Sequence, residues 1–128
     1  MSYHISKTLS TTFDDACAKV TEALKAQGFG ILTDIDVKET LKKKLDVDFR
    51  RYRILGACNP PLAYQALTEE DKIGTMLPCN VIVQELDGGQ VEVSAVDPVA
   101  SMQAVGNPKL SEVAQTVRTK LKSVIDSL

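Results

Sequence analysis

Residues 79–96 constrain this chain more than any other stretch. The runs CNVIVQEL (79–86) and QVEVSAV (90–96) alternate apolar and polar residues, and Asp87-Gly88-Gly89 separates them. Two period-2 runs joined by a Gly-containing turn make a β-hairpin. Val81 and Val83 fall on one side of the first run, and Val91 and Val93 on one side of the second. The hairpin therefore has an apolar face that two strands cannot bury between themselves. Two further segments supply a cover. Phe13, Ala16, Cys17, Val20 and Leu24 recur at helical spacing, as do Leu110, Val113, Ala114, Val117, Leu121, Val124, Ile125 and Leu128. Each of these helices is apolar on one side only, so both must lie on the same sheet. The fold class that follows is α+β, a mainly antiparallel sheet with two amphipathic helices on one face. The opposite sheet face is left to solvent or to a partner.

The remaining elements fit around that frame. Residues 3–9 form a strand in which Tyr3, Ile5 and Lys7 alternate with His4 and Ser6. Thr11, with Asp14 three residues on, opens the first helix, and Gly28 closes it. Phe29–Ile35 reads as the second strand. Asp36 and Glu39 repeat the capping pattern before a short helix whose Val37, Leu41 and Leu45 are expected to face inward. In the third strand Tyr52, Ile54, Gly56 and Cys58 alternate with Arg51, Arg53, Leu55 and Ala57, and the first set is expected to face the core. Asn59-Pro60-Pro61 opens another short helix, since Asn caps well and Pro fits the first turn. A loop carries Thr68 to Met76, and Asn107-Pro108 is expected to cap the last helix. With no internal repeat and no linker, 128 residues make a single domain, 1–128.

Composition excludes several functions. The formal net charge is -2, against the basic footprint of a nucleic-acid binder. Lys42-Lys43-Lys44 and Arg50-Arg51 form a local basic cluster, but Asp46 and Asp48 lie between them and dilute its field. No apolar run approaches the ~20 residues that a membrane helix needs. The start, MSYHISKTLS, lacks a basic region followed by an apolar one, so no signal peptide is expected and the cytoplasm is the expected location. Three cysteines and one histidine, with no Cys-x-x-Cys, make neither a disulfide framework nor a structural zinc site. Walker, dinucleotide-binding and nucleophile-elbow motifs are absent. Whether the chain is an enzyme stays open.

Chemistry can gather at one place. Cys58-Asn59-Pro60 closes the third strand, and Pro78-Cys79-Asn80 opens the fourth. Antiparallel neighbours would bring these motifs to one rim, where Asp97 arrives from the end of the fifth strand. If the apolar set of each strand faces the core, Cys58, Cys79 and Asp97 all point to that side. Cys58 precedes a helix N-terminus, where the dipole favours an anion and can lower a thiol's pKa. The candidate functional rim is Cys58, Asn59, Cys79, Asn80 and Asp97. Cys58 and Cys79 are the candidate ligands for a soft metal such as copper, with Met76 and Met102 as further sulfur donors. Against this stands a structural reading. Free cysteines are often small buried hydrophobes, Asn59 is explained as a cap, and Cys17 belongs to the apolar stripe of the first helix. His4 is expected to face solvent.

The stretches KLDVDFRRYRIL (44–55), LGACNPPLAYQAL (55–67) and LPCNVIV (77–83), with the Val-Asp-Pro step at 96–98, resemble the bacterial and archaeal domain-of-unknown-function family numbered 302. The resemblance runs in order along nearly the whole chain. It implies a TATA-binding-protein-like fold of order strand–helix–four strands–helix, and it implies a homodimer. It supplies no activity, and the fold itself does not bring DNA binding with it. Two functional classes remain: a cysteine rim acting in soft-metal binding or thiol redox, and a small-molecule or protein-binding module with structural cysteines.

Overall fold

Five antiparallel strands lie side by side in the order β1-β5-β4-β3-β2, in a computed structural model that describes residues 2–128. They are β1 (His4–Leu9), β2 (Gly30–Asp36), β3 (Tyr52–Cys58), β4 (Cys79–Glu85) and β5 (Val91–Val96). The helices are α1 (Phe13–Ala26), α2 (Val37–Leu45), α3 (Pro60–Glu69), α4 (Pro98–Ser101) and α5 (Leu110–Asp126), with 3-10 turns at Ile73–Met76 and Gln103–Val105. This is the α+β order expected from the sequence.

The core is the layer between the sheet and the two long helices. Val81, Val83, Val91, Val93 and Ala95 meet Ala16, Val20 and Leu24 of α1 and Leu121, Val124 and Ile125 of α5, all of them buried. Cross-strand pairing sets Val81 against Ala95 and Val83 against Val93, so the hairpin presents one continuous apolar surface. Thr12, rather than Thr11, caps α1: its Oγ1 accepts from the Asp15 N–H at 3.1 Å. The capping logic holds, displaced by one residue. Beyond α1 the chain turns through Gly28 at φ 82, a region that costs other residues strain. A side chain there would also meet the Asn59 amide at 3.1 Å.

Three local expectations are corrected. The short helix α2 buries none of its residues, and Leu45 stands 66% exposed. Val37 and Leu41 are only half-buried, so this short helix rests on the sheet edge without joining the core. In β3 the inward set is Leu55 and Ala57, both buried, opposite to the set expected. Pairing explains this, because Leu55 sits across from Val81 and Ala57 across from Cys79. Tyr52 and Ile54 therefore belong to the open face, where they are half-buried. Asn107 does not cap α5 directly. That helix begins at Leu110 with no side-chain cap, while Asn107 Oδ1 accepts from the Lys109 N–H at 3.0 Å. The basic cluster is neutralised as expected, Lys42 pairing with Asp46 at 2.9 Å.

The edge strand β2 is irregular. Its pairing with β3 shifts between Ile31 and Thr33, which leaves Leu32 as an extra, exposed residue in a β-bulge.

Leu121 is wholly buried on the α5 stripe. Leu121→Ala should lower unfolding stability by about 2–4 kcal/mol through lost transfer energy and the void it leaves. Urea unfolding followed by circular dichroism reads this directly, and an unchanged midpoint would mean that α5 does not close the core.

Candidate functional site

The two Cys-Asn motifs meet at one end of the sheet, offset from each other by one residue in register. Ala57, not Cys58, is the cross-strand partner of Cys79. Cys58 lies one residue further on, at the strand's end, where it borders the same cavity as Cys79. The β4–β5 register, run two residues past Val81 and Ala95, sets Cys79 beside Asp97. Cys79 and Asp97 are both buried, whereas Cys58 is half-buried and Asn80 is exposed. Asn80 pairs with Gly56 and borders a shallow depression on the open sheet face. On that same face His4 is exposed, its Nδ1 lying 2.7 Å from Ser6 Oγ.

Asn59 does cap α3, its Oδ1 accepting from the Leu62 N–H at 3.4 Å. Its amide nitrogen donates to the Gln27 carbonyl at 3.4 Å. One side chain thus holds the start of α3 against the end of α1. Asp97 is consumed by structure in a similar way. Its Oδ1 accepts from the Val99 and Ala100 N–H groups at 3.0 and 3.4 Å and so caps α4. Its Oδ2 accepts from Arg118 Nε at 2.9 Å, tying α4 to α5.

Behind the rim lies the feature that periodicity did not reveal, a cavity of about 320 Å³. Phe29, Ala57 and Cys79 form its floor, Leu62 and Ala66 of α3 one wall, and Val113 and Val117 of α5 another. Cys58, Asn59, Leu32 and Met102 also border it. No Asp, Glu, Lys or Arg lines it. Its origin is local: α3 meets the sheet end and α5 largely through Ala63, Ala66 and Ala114, whose small side chains leave the space between the elements unfilled. The alanines at helical spacing in LAYQAL were the available signal. Arg118, half-exposed on α5, gave none.

The family model for the domain of unknown function DUF302 matches residues 5–128. The chain belongs to that family. A solved crystal structure, that of the uncharacterized conserved protein DUF302 from Bacillus stearothermophilus, is 29% identical over 98% of both chains and superposes with a TM-score of 0.92. No curated protein matches the chain.

In this DUF302 domain burial acts on two of the thiols. Burial, and secondarily the proximity of Cys58, push the Cys79 thiol up to about 11, so it keeps its proton at neutral pH. Burial also raises the Cys17 thiol, with Arg53 opposing and Asp34 adding to the shift. Cys17 is only half-buried, at the margin of the α1 stripe rather than within the core. Among the described residues no group of three or more His, Cys, Asp or Glu side chains gathers where it could hold a metal ion. No helix among them is long and apolar enough to cross a membrane.

The Cys79 shift carries a sign. Between the ordinary thiol value of 9.0 and the folded value of about 11, the native state keeps a proton that the unfolded chain loses. The stabilisation is therefore complete below pH 9 and declines as pH rises through 11, by about 2–3 kcal/mol from this group. Urea unfolding at pH 8, 9 and 10.5 should show a steeper decline for the wild type than for Cys79→Ala. Parallel slopes would mean that Cys79 is not buried as a neutral thiol.

Proposed function

We propose that this DUF302 chain is a binding module that takes up an apolar small molecule in the cavity between α3, α5 and the end of the sheet. The observation that carries this reading is the cavity wall, about 320 Å³ of space bordered by aliphatic, aromatic and sulfur-containing side chains with no charged group among them. Small-molecule sites span about 300–1,000 Å³, so the space lies at the lower end of that range and suits a compact apolar molecule. Water gains few hydrogen bonds against such a wall, and an apolar guest replaces it favourably. Each buried methylene contributes about 0.8 kcal/mol, against an association cost of at least about 4 kcal/mol. About ten buried methylene equivalents then give at best a dissociation constant near a millimolar, and about fifteen are needed to approach a micromolar one.

On this reading Cys58 and Cys79 are wall residues, and Asn59 and Asp97 are the capping groups that hold the wall in place. The burial of Cys79 among apolar side chains supports it, since free cysteines often serve as small buried hydrophobes. The cytoplasmic setting belongs to the same proposal and is supported by three free cysteines.

The test is binding of N-phenyl-1-naphthylamine, an uncharged dye that brightens in apolar surroundings. Wild type should bind it with a saturable rise in fluorescence and should protect Cys58 from iodoacetamide as the site fills. Ala63→Trp places bulk at a half-exposed wall position and should weaken binding at least about tenfold while the circular dichroism spectrum is retained. Equal binding by this variant, or no saturable binding by wild type, would overturn the proposal.

We further propose that a second copy of the chain covers the sheet face opposite α1 and α5. Ile35, Tyr52, Ile54 and Ile82 share that face and none of them is buried, and apolar surface of this kind favours self-association. Sedimentation at micromolar concentration should give a dimer, and Ile82→Glu should shift it to monomer. A wild-type species at 13.9 kDa would count against the pairing.

A further inference from the structure

The apolar cavity does not end at α5. Met102 and Ala114 line it and also line a second depression of about 370 Å³, bordered by Gln103, Asn107, Ser111 and Gln115. The two spaces thus adjoin across a pair of shared residues. Their chemistry differs sharply in one respect and agrees in another. The first is aliphatic and the second carries amide and hydroxyl groups, yet no Asp, Glu, Lys or Arg lines either.

We propose that the occupant is an uncharged amphiphile, with its hydrocarbon part in the first cavity and a hydroxyl- or amide-bearing head in the second. This rests on the reading of the first cavity as a binding site and names the class of molecule it takes. An apolar guest alone would leave the second depression without a role. No charged side chain lines the depression to pair with an anionic or a cationic head, and no aromatic face is there to receive a cation. A neutral head has partners. The side chains of Gln103, Ser111 and Gln115 make no hydrogen bond to other described residues, and an amide can both donate and accept. Asn107 is already committed, since its amide nitrogen donates to the Glu69 carbonyl at 3.1 Å and to Glu70 Oε1 at 3.2 Å. It fixes the rim of the depression rather than reading the guest.

The passage between the two spaces is suited to adjustment. Met102 follows α4 directly as its C-cap and is half-buried. Its unbranched thioether has rotatable bonds that let it fill the gap when the site is empty and turn aside for a chain. Meanwhile the Asp97–Arg118 pair holds the backbone of α4 against α5, so that side-chain rotation, and not movement of the helix, opens the way.

The experiment displaces N-phenyl-1-naphthylamine from the full chain with n-octane, 1-octanol, octanoate and octylammonium in parallel. In wild type, 1-octanol should bind about fivefold to tenfold tighter than n-octane, the gain of one net hydrogen bond. Octanoate and octylammonium should each bind at least about tenfold more weakly than 1-octanol, because a charge brought beside the apolar cavity sheds part of its hydration and meets no oppositely charged side chain. Gln103 and Gln115 are exposed, so the double variant Gln103→Ala/Gln115→Ala should fold normally, bind n-octane as wild type does, and lose the advantage for 1-octanol. If n-octane matches 1-octanol in wild type, or a charged ligand binds best, the head-group assignment is overturned while the cavity reading stands. If the dye and all four ligands fail to bind, the cavity reading itself falls.

Discussion

The burial of one sheet face beneath two helices is the constraint on which the rest of this molecule depends. Val81, Val83, Val91, Val93 and Ala95 offer a surface with no solvent exposure, and only α1 and α5 are long and apolar enough to cover it. Everything else is fitted at the margins. The crossover from β3 to β4 must leave the sheet and return to it, and α3 does so beyond the sheet's end, where the valine surface has stopped. A short helix placed there, with alanines on its inner side, shields the rim without filling it. The cavity is thus a by-product of where the main packing layer ends.

Much of that layer was legible because its periodicity is unambiguous. The hairpin alternates cleanly, the α5 stripe has an apolar residue at every expected position, and Asn59-Pro60-Pro61 announces the cap of α3 in three letters. Strand β3 misled because it is apolar on both faces. With Tyr52 and Ile54 on one side and Leu55 and Ala57 on the other, a period-2 pattern cannot say which set is buried. Only pairing with the cleanly alternating β4 decides. That error reversed the faces of β3 and removed the parity argument for grouping Cys58 with Cys79 and Asp97, although Cys58 and Cys79 still border one cavity.

The cavity and the Asp97–Arg118 pair were illegible for different reasons. A cavity consists of atoms that are missing, and periodicity records only residues that are present. Alanine satisfies an apolar pattern as well as leucine does while leaving much of the volume open. The ion pair joins residues 21 apart in sequence, and no local rule links an acid after a strand to an arginine midway along a helix. The near-repeat of the two Cys-Asn motifs proved chemically uninformative, because Asn59 binds helix ends together while Asn80 looks out from the opposite face.

The bulge in β2 separates two properties that most small domains keep bound together. Leu32 is the extra residue of that bulge; it contributes nothing to the buried core, yet it borders the mouth of the cavity. Removing this one residue would let the edge strand run in regular register against β3, leaving the valine layer as it is. Removal would also strip an aliphatic lip from the opening. The lip of the proposed site is therefore set by a residue outside the core, while its walls are shared with the core, so only the lip can drift at the sheet edge without disturbing the valine layer.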